Sequence, residues 1–207
     1  MEDQWLTWAK RLQAIASTGL HFCKDEFDRE RFHEVATIAA AMLGSLGNIP
    51  IERVSGLLSD FAKGYATPKV DVRGAIIENG QVLLVREKSD GLWTLPGGFA
   101  DVGLSPTENV KKEIWEEAGV QVSRCTLFSV RHKARQAYEP DIRDFYKMFF
   151  LCERADAIDP KPGADTTEVA FFARDQLPML STGRVIEADI DAAFRFHRGT
   201  ARLPIVD

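Results

Sequence analysis

Three glutamates near the middle of the chain have the chemistry and the spacing of metal ligands. Glu116 and Glu117 follow Glu113 by three and four residues. Residues so spaced share one face of an α-helix. Like charges in that arrangement repel by roughly 0.2–0.5 kcal/mol per pair, so a helix without a cation gains nothing from them. A divalent cation that prefers hard oxygen ligands reverses the sign. The triplet alone thus leaves two interpretations open, a divalent-cation site and a solvated acidic helix face.

Local signals on both sides of the triplet predict the helix that carries it. Ser105 and Glu108 fit a capping box around Pro106, which suits the first helical position. Gly119 is the expected stop, in the left-handed conformation. The apolar stripe expected to face the core is formed by Val110, Ile114 and Ala118. The glutamates then lie beside this stripe and face a cleft or solvent.

The stretch from residue 92 to 120 resembles the signature of the Nudix hydrolases. The matching positions are Gly98, Glu113, Ile114, Glu116, Glu117, Gly119 and Val120. Leu104 stands where the family has its first glutamate, and Lys112 stands where it has an arginine. Those two family residues can pair and hold the loop against the helix. The usual supporting ion pair is therefore expected to be missing.

The resemblance implies roles for the acidic residues. Glu113, Glu116 and Glu117 are the implied ligands of Mg²⁺ or Mn²⁺, and the carbonyl of Gly97 is a further one, because a glycine turn brings bare backbone close to an ion. In this family the general base is often a glutamate outside the signature, which makes Glu168 the first choice and Glu116 the alternative. The other carboxylates considered for the base are Glu139 and Asp165.

Two arginines on the opening strands are candidates for substrate binding. Arg73 and Arg86 each carry a guanidinium that is able to hold two oxygens of a diphosphate at once. A solvated strand side chain is the alternative, with equal weight for Arg86. The sequence thus predicts Arg73, and next Arg86, as diphosphate ligands.

The first 64 residues are predicted to form a small α-helical domain. Helices are expected over residues 1–18, ended by Gly19, and from an N-cap at Asp28 to Gly47, followed by a shorter helix that Pro50 opens. Apolar residues on one stripe of the first helix are Trp5, Trp8, Leu12 and Ile15. Because so short a segment is marginal alone, we expect it to pack on the chain or to form a homodimer. Base stacking by the two tryptophans is the alternative.

Residues 65–207 are predicted to form an α/β/α sandwich on a mixed sheet, in agreement with the Nudix fold. Asn79 and Gly80 read as a hairpin turn between two apolar strands. Further strands are expected at 122–130, 145–152 and 169–172, and a last helix is expected after a cap at Ser181 or Thr182. These elements follow one another without regular βαβ alternation.

Composition narrows the class of protein. With 31 acidic and 26 basic residues and a net charge of -5, the chain shows no broad electrostatic footprint for nucleic acid. Three cysteines without paired Cys/His spacing predict reduced thiols rather than a zinc site. No apolar run approaches the roughly 20 residues of a membrane helix, and no signal-peptide pattern opens the chain. A cytoplasmic protein without a membrane partner is expected.

A wider resemblance predicts the reaction. Segments at 12–16, 28–31, 67–73, 98–103 and 177–181 are similar to the bacterial Nudix branch that hydrolyses X-linked nucleoside diphosphates, typified by CDP-choline pyrophosphatase. Members of that branch also lack the first glutamate of the signature. The resemblance implies hydrolysis of the diphosphate to a nucleoside monophosphate and a phosphorylated second moiety, with CDP-choline as the favoured substrate and ADP-ribose next. The alternatives are RNA 5′-end or exonuclease activity and a non-catalytic nucleotide-sensing regulator.

Overall fold

The computed structural model describes residues 3–47 and 65–207. The chain divides into two compact units, the first comprising Met1–Lys69 with the loop Ala134–Phe145, and the second comprising Val70–Lys133 and Tyr146–Asp207. The loop Ala134–Phe145 thus groups with the N-terminal segment, although it lies far away in the sequence. A helical domain precedes the mixed sheet as predicted, while its boundary after residue 64 stays a prediction.

Two helices are described in the first unit, α1 at Gln4–Phe22 and α2 at Glu26–Leu46. The first helix runs through Gly19, where the sequence predicted its end. A Cβ placed on Gly19 would lie 2.4 Å from Cε1 of Phe32 on α2. Gly19 therefore marks a close approach of the two helices, and the prediction that it stops the first helix was wrong.

The start of α2 also differs from the sequence prediction. Asp25, and not Asp28, is the N-cap, because its side chain accepts hydrogen bonds from the backbone N–H groups of Phe27 and Asp28. Gly47 follows the last turn as predicted. The third helix expected after Pro50 lies outside the described residues.

The loop Ala134–Phe145 is held to the two helices by apolar and polar contacts. Lys10 on α1 lies 3.3 Å from the carboxylate of Asp144 and 3.4 Å from the carbonyl of Arg143. The buried apolar cluster between loop and helices contains Leu6, Ala9, Leu43 and Ile142. The loop is therefore part of the core of the first unit.

Two sheets and two helices form the second unit. The strands are β1 (Lys69–Ala75), β2 (Ile77–Glu78), β3 (Gln81–Glu87), β4 (Trp93–Thr94), β5 (Gly97–Phe99), β6 (Val122–His132), β7 (Phe145–Arg154), β8 (Thr166–Ala173) and β9 (Ile205–Val206). One sheet has the order β5-β1-β7-β6-β9, with β9 parallel to β6, and the other has β2-β3-β4 with β8 paired to β3. The helices are α3 (Pro106–Ala118) and α4 (Glu187–His197).

Adjacent phenylalanines on β7 show how the helices are layered. Phe150 belongs to the buried cluster that contains Val110 and Ile114 of α3. Phe149 packs instead on Phe128, whose ring also lies 6.0 Å from that of Phe196 on α4. Because successive strand residues point to opposite faces, α3 and α4 cover opposite sides of the sheet. The predicted α/β/α sandwich on a mixed sheet is confirmed.

Most of the predicted strands form where the sequence placed them. Asn79 and Gly80, with φ of 50° and 77°, make the left-handed turn that joins β2 to β3. Each of the three further predicted strands lies within β6, β7 or β8. No described helix combines the length and apolarity that crossing a membrane requires.

The last helix begins later than the sequence predicted. It starts at Glu187. The N–H of the preceding residue, Ile186, donates a hydrogen bond to the carboxylate of Asp189. Ser181 does not cap it, because its hydroxyl donates instead to the carboxylate of Asp90, 2.7 Å away. The prediction of a cap at Ser181 or Thr182 was therefore wrong.

A buried ion network joins β1 to β7. The carboxylate of Asp71 accepts from Nε and Nη2 of Arg73, at 3.1 and 3.0 Å, and from Nζ of Lys147 at 2.8 Å. All three side chains are buried. Burial alone would raise the pKa of Asp71, but the charges of Arg73 and Lys147 outweigh it and lower that pKa to about 2. One carboxylate therefore serves two buried cations.

Replacement of Asp71 by Asn should lower the free energy of unfolding by about 3–5 kcal/mol, because the buried Arg73 and Lys147 lose the carboxylate that both of them bond. Since the pKa of Asp71 is lower in the folded chain, its contribution is complete well above pH 3.8 and is lost as the pH falls toward about 2. Urea denaturation at pH 7 measures the difference.

The control for Asp71→Asn is Glu153→Gln on β7. Glu153 forms an exposed pair with Arg124, 3.8 Å away, and its loss should cost at most about 1 kcal/mol. Equal losses of stability in the two variants would contradict a central role for the buried network.

Candidate active site

The predicted glutamate helix forms as α3. The hydroxyl of Ser105 accepts from the N–H of Glu108, and the Glu108 carboxylate accepts from the N–H of Ser105 at 2.7 Å. Pro106 occupies the first turn, and Gly119 ends the helix with φ of 64°. Local signals thus set both ends of the helix that carries the three acids.

Glu117 is the most buried carboxylate of the triplet, with 9% of its surface exposed. Its Oε2 accepts a hydrogen bond of 2.9 Å from the N–H of Gly97. Burial raises the pKa of Glu117 to about 7, against the opposing charge of Arg73. A cation placed beside this carboxylate would offset the cost of burying its charge.

The turn at Gly97 and Gly98 presses backbone against its neighbours. Gly97 has φ of 146°, and a Cβ there would lie 2.0 Å from the carbonyl oxygen of Val72. A Cβ on Gly98 would lie 3.0 Å from Oε1 of Glu113, so this carboxylate faces the turn. Glu113 is half-buried, and burial raises its pKa as well. Two carboxylates of α3 and the glycine backbone therefore converge.

Lys112 forms an ion pair with the loop that the sequence did not predict. Its Nζ lies 2.8 Å from Oε2 of Glu116 and 3.3 Å from Oδ2 of Asp101. The bonds to Glu116 and then to Asp101 raise the pKa of Lys112. Loop and helix are thus linked by an ion pair after all, through Asp101 instead of position 104, where Leu104 is exposed.

Asn109 is a structural residue of the site that the sequence did not reveal. Its Oδ1 accepts from the N–H of Asp101 at 2.8 Å, and its Nδ2 donates to the carbonyls of Leu104 and Ser105, both at 3.2 Å. The side chain is buried at the start of α3. The signal available in the sequence was that a polar residue, Asn109, directly precedes the apolar stripe that begins at Val110. Asn109 fixes the loop that leads into the helix.

Arg73 is buried among groups of the protein itself. It is 4% exposed, and besides bonding Asp71 it donates from Nη1 to the carbonyl of Leu95 at 3.1 Å. A guanidinium so enclosed serves the protein's own groups. Arg73 pairs with Gly97 across β1 and β5, which gives it a part in supporting the turn, while its role in diphosphate binding stays a prediction.

The second predicted arginine and the first-choice base lie together. Arg86 and Glu168 are opposite each other on β3 and β8, and Nη1 of Arg86 lies 2.6 Å from Oε1 of Glu168. Nε of Arg86 also donates to the carbonyl of Gly91 at 2.7 Å. Both side chains are partly exposed and so accessible to a ligand. The other carboxylates considered as the base, Glu139 and Asp165, are exposed on loops.

The donor set suits a hard divalent cation. It consists of carboxylates and backbone oxygen, and burial raises the pKa values of Glu113 and Glu117, so a nearby cation would favour their charged forms. Across residues 3–47 and 65–207, no three His, Cys, Asp or Glu side chains already form a metal-binding group. Glu116, for example, points to Lys112. Ligation by Gly97, Glu113, Glu116 and Glu117 therefore stays a prediction.

Two family descriptions match successive parts of the chain. Residues 68–194 match the NUDIX domain, and residues 3–58 match the UDP-X-like N-terminal oligomerisation domain.

Relatives with similar architecture span most of the chain. The Bacillus subtilis (strain 168) protein named "Putative ADP-ribose pyrophosphatase YjhB" is 41% identical over 207 residues, covering 100% of this chain and 99% of its own. The crystal structure of a UDP-X diphosphatase is 35% identical, covers 98% of each chain and superposes with a TM-score of 0.64. An ADP-ribose pyrophosphatase from Streptococcus suis 89-1591 is 34% identical, with a TM-score of 0.61, over 68% of this chain and 100% of its own.

Replacement of Gly97 by Ala should disrupt the turn and lower stability by more than about 2 kcal/mol, because a Cβ meets backbone there. Gly80→Ala is the matched control, since Gly80 also has positive φ but nothing lies within 4 Å of its Cβ position. That variant should lose only about 1–2 kcal/mol. Thermal unfolding compares them, and a larger loss at Gly80 would contradict the close approach.

Proposed function

The chain belongs to the Nudix family of hydrolases, and on that premise we propose that it cleaves a nucleoside diphosphate linked to a second moiety in a reaction that needs Mg²⁺ or Mn²⁺. The observation that carries this proposal is the convergence of Glu113 and Glu117 on the turn at Gly97 and Gly98. Attack by water on one phosphorus would give a nucleoside monophosphate and a phosphorylated second product.

The acidic residues of α3 would hold the cation. A bound divalent cation neutralises diphosphate oxygens and lowers the pKa of a bound water. Glu113 and Glu117 would supply carboxylate oxygens beside the carbonyl of Gly97. Glu116 would join them by leaving Lys112, and the loss is small because solvent screens an exposed ion pair.

The pair of Arg86 and Glu168 suggests how base and substrate binding are combined. Each side chain is about half exposed, so breaking the pair also costs only about 0–1 kcal/mol. A phosphate that attracts Arg86 would release Glu168 to accept a proton from the attacking water. Glu168 therefore remains our proposed general base, Arg86 our proposed diphosphate ligand, and Glu116 the alternative base.

The relatives bear on the substrate. Their names share one chemistry, a nucleoside diphosphate joined to another group, and differ in the base and in that group. Two of the three name ADP-ribose, whereas the sequence resemblance favoured CDP-choline. We therefore propose ADP-ribose as the first substrate to test, with CDP-choline and a UDP-sugar beside it.

An exposed apolar stripe on α1 supports a homodimer. The residues of the stripe that face solvent are Trp5, Trp8, Leu12 and Ile15. Trp5 is 58% exposed and its ring packs edge-on against Trp8 at 5.0 Å. A large exposed apolar patch marks an interaction site, and the matching family description is that of an oligomerisation domain. We propose that a second copy of the chain covers the stripe.

Glu117→Gln should lower kcat for ADP-ribose or CDP-choline hydrolysis by roughly a hundredfold or more, because charge stabilisation by the cation is worth several kcal/mol. Chromatography of the nucleoside monophosphate, with Mg²⁺, with Mn²⁺ and with EDTA, measures it. Glu78→Gln, which alters an ion pair with Arg154, is the control and should stay active. Hydrolysis of none of the nucleotides, or full activity in EDTA, would contradict the proposal.

Trp5→Ala with Trp8→Ala should raise the dimer dissociation constant by about tenfold or more, because buried tryptophans dominate interface energies. Size-exclusion chromatography with light scattering gives the mass as a function of concentration. Ile158→Ala removes an exposed apolar side chain in the second unit and should leave the mass unchanged. A wild-type monomer at all concentrations would exclude the proposed dimer.

A further inference from the structure

Glu87 is a carboxylate that is not part of the Nudix signature, and it lies near α3, where its charge acts on Glu117. Glu87 is the last residue of β3 and only 7% of its surface is exposed. The pairing of β3 with β8 shifts register between Arg86 and Glu87. Such an irregularity re-aims a strand's side chains. Arg86 remains partly exposed, whereas Glu87 is buried.

Hydrogen bonds tie the position of Glu87 to that of Glu117. The residue opposite Glu87 on β8 is Thr166. The hydroxyl of Thr166 donates to the carbonyl of Glu117 at 2.7 Å, and the N–H of Gly163 donates to the same carbonyl at 3.1 Å. The charges of Glu87 and Glu117 both act on the guanidinium of Arg73. The two carboxylates therefore share one electrostatic neighbourhood.

Arg184 is the ion-pair partner of Glu87 and is itself fixed in place. Its Nε lies 3.2 Å from Oε1 of Glu87. Its Nη1 donates to Asp90 and Ser181, both at 2.8 Å, and its Nη2 donates to Ser89 at 2.9 Å. These bonds hold the guanidinium against Glu87 independently of any ligand. A buried carboxylate with a fixed counterion is thus built beside the candidate cation site.

We propose that Glu87 is an additional acidic residue of the cation site and that Arg184 is the counterion with which the cation competes. This inference rests on the proposed function, since it assigns a further residue to the same site. A divalent cation near Glu117 would be attracted by the charge of Glu87 and repelled by the charge of Arg184. The two residues must therefore have opposite effects on cation affinity, although they form one ion pair.

Opposite effects distinguish this role from a structural one. If the pair only supported the fold, loss of either partner would damage the site in the same direction. Glu87→Gln keeps the shape and removes the charge, so it should weaken cation binding. Arg184→Gln removes the competing charge and leaves a buried carboxylate in need of a partner, so it should strengthen cation binding.

Titration of the substrate-free protein with Mn²⁺, followed by electron paramagnetic resonance, tests the inference without reference to turnover. Glu87→Gln should raise the dissociation constant for Mn²⁺ by about tenfold, and Arg184→Gln should lower it by about two- to tenfold. Glu187→Gln, an exposed glutamate paired with Arg174, is the matched control and should bind as the wild type does. Circular dichroism verifies that each variant is folded.

Each outcome of the titration decides the matter. Unchanged binding by Glu87→Gln, or weaker binding by both variants, overturns the role of Glu87 while leaving the proposed function intact. A wild type that binds no Mn²⁺ overturns the proposed function and this inference together. Should Glu87→Gln fail to fold, Arg184→Gln decides alone, because only tighter binding is compatible with a competing counterion.

Discussion

The ion network around Asp71 is the constraint on which the second unit's candidate site depends. Asp71 bonds the buried cations Arg73 and Lys147, and the charges of Glu87 and Glu117 also act on Arg73. Arg73 lies directly behind the glycine turn, because a Cβ on Gly97 would come within 2.8 Å of its Cα. The charge of Arg73 opposes the rise that burial causes in the pKa of Glu117, so it offsets part of the cost of burying that carboxylate. Fold and chemistry thus share one electrostatic balance.

Basic residues of the protein interact with several acids of this region. Lys112 pairs with Glu116, Arg73 acts on Glu117, and Arg184 pairs with Glu87. The free energy needed to separate each pair differs, since Lys112 and Glu116 are more exposed than the residues of the other two pairs. A divalent cation entering the site must compete with these groups, and the exposed pair yields most readily. At the proposed cation site, the basic residues would therefore affect cation affinity as well as the glutamates.

Local sequence signals predicted the glutamate helix and the glycine turn. The features that the sequence did not predict depend on contacts between elements that are distant in the chain. Ser105 and Gly119 act within a few residues, so their roles were legible. Gly19 contacts Phe32 and Ser181 bonds Asp90, and both partners lie on other elements, so no neighbouring residue in the sequence indicates them. Arg73 has the right chemistry for a diphosphate, but its burial depends on β1 pairing with β5 and β7. The acids of the signature were visible because helical spacing alone groups them. The pairing of Asp101 with Lys112 and that of Arg184 with Glu87 were not visible, because each pair joins distant parts of the chain.

The loop Ala134–Phe145 has a consequence for how the chain can be divided. It carries Ile142 into the apolar cluster of α1 and α2, and Lys10 of α1 bonds its backbone. A fragment starting at residue 65 would keep both sheets yet leave this loop without its packing partners. Exchange of modules between related proteins therefore has to move the loop with the helices. The first compact unit is discontinuous in sequence, although it is contiguous in space.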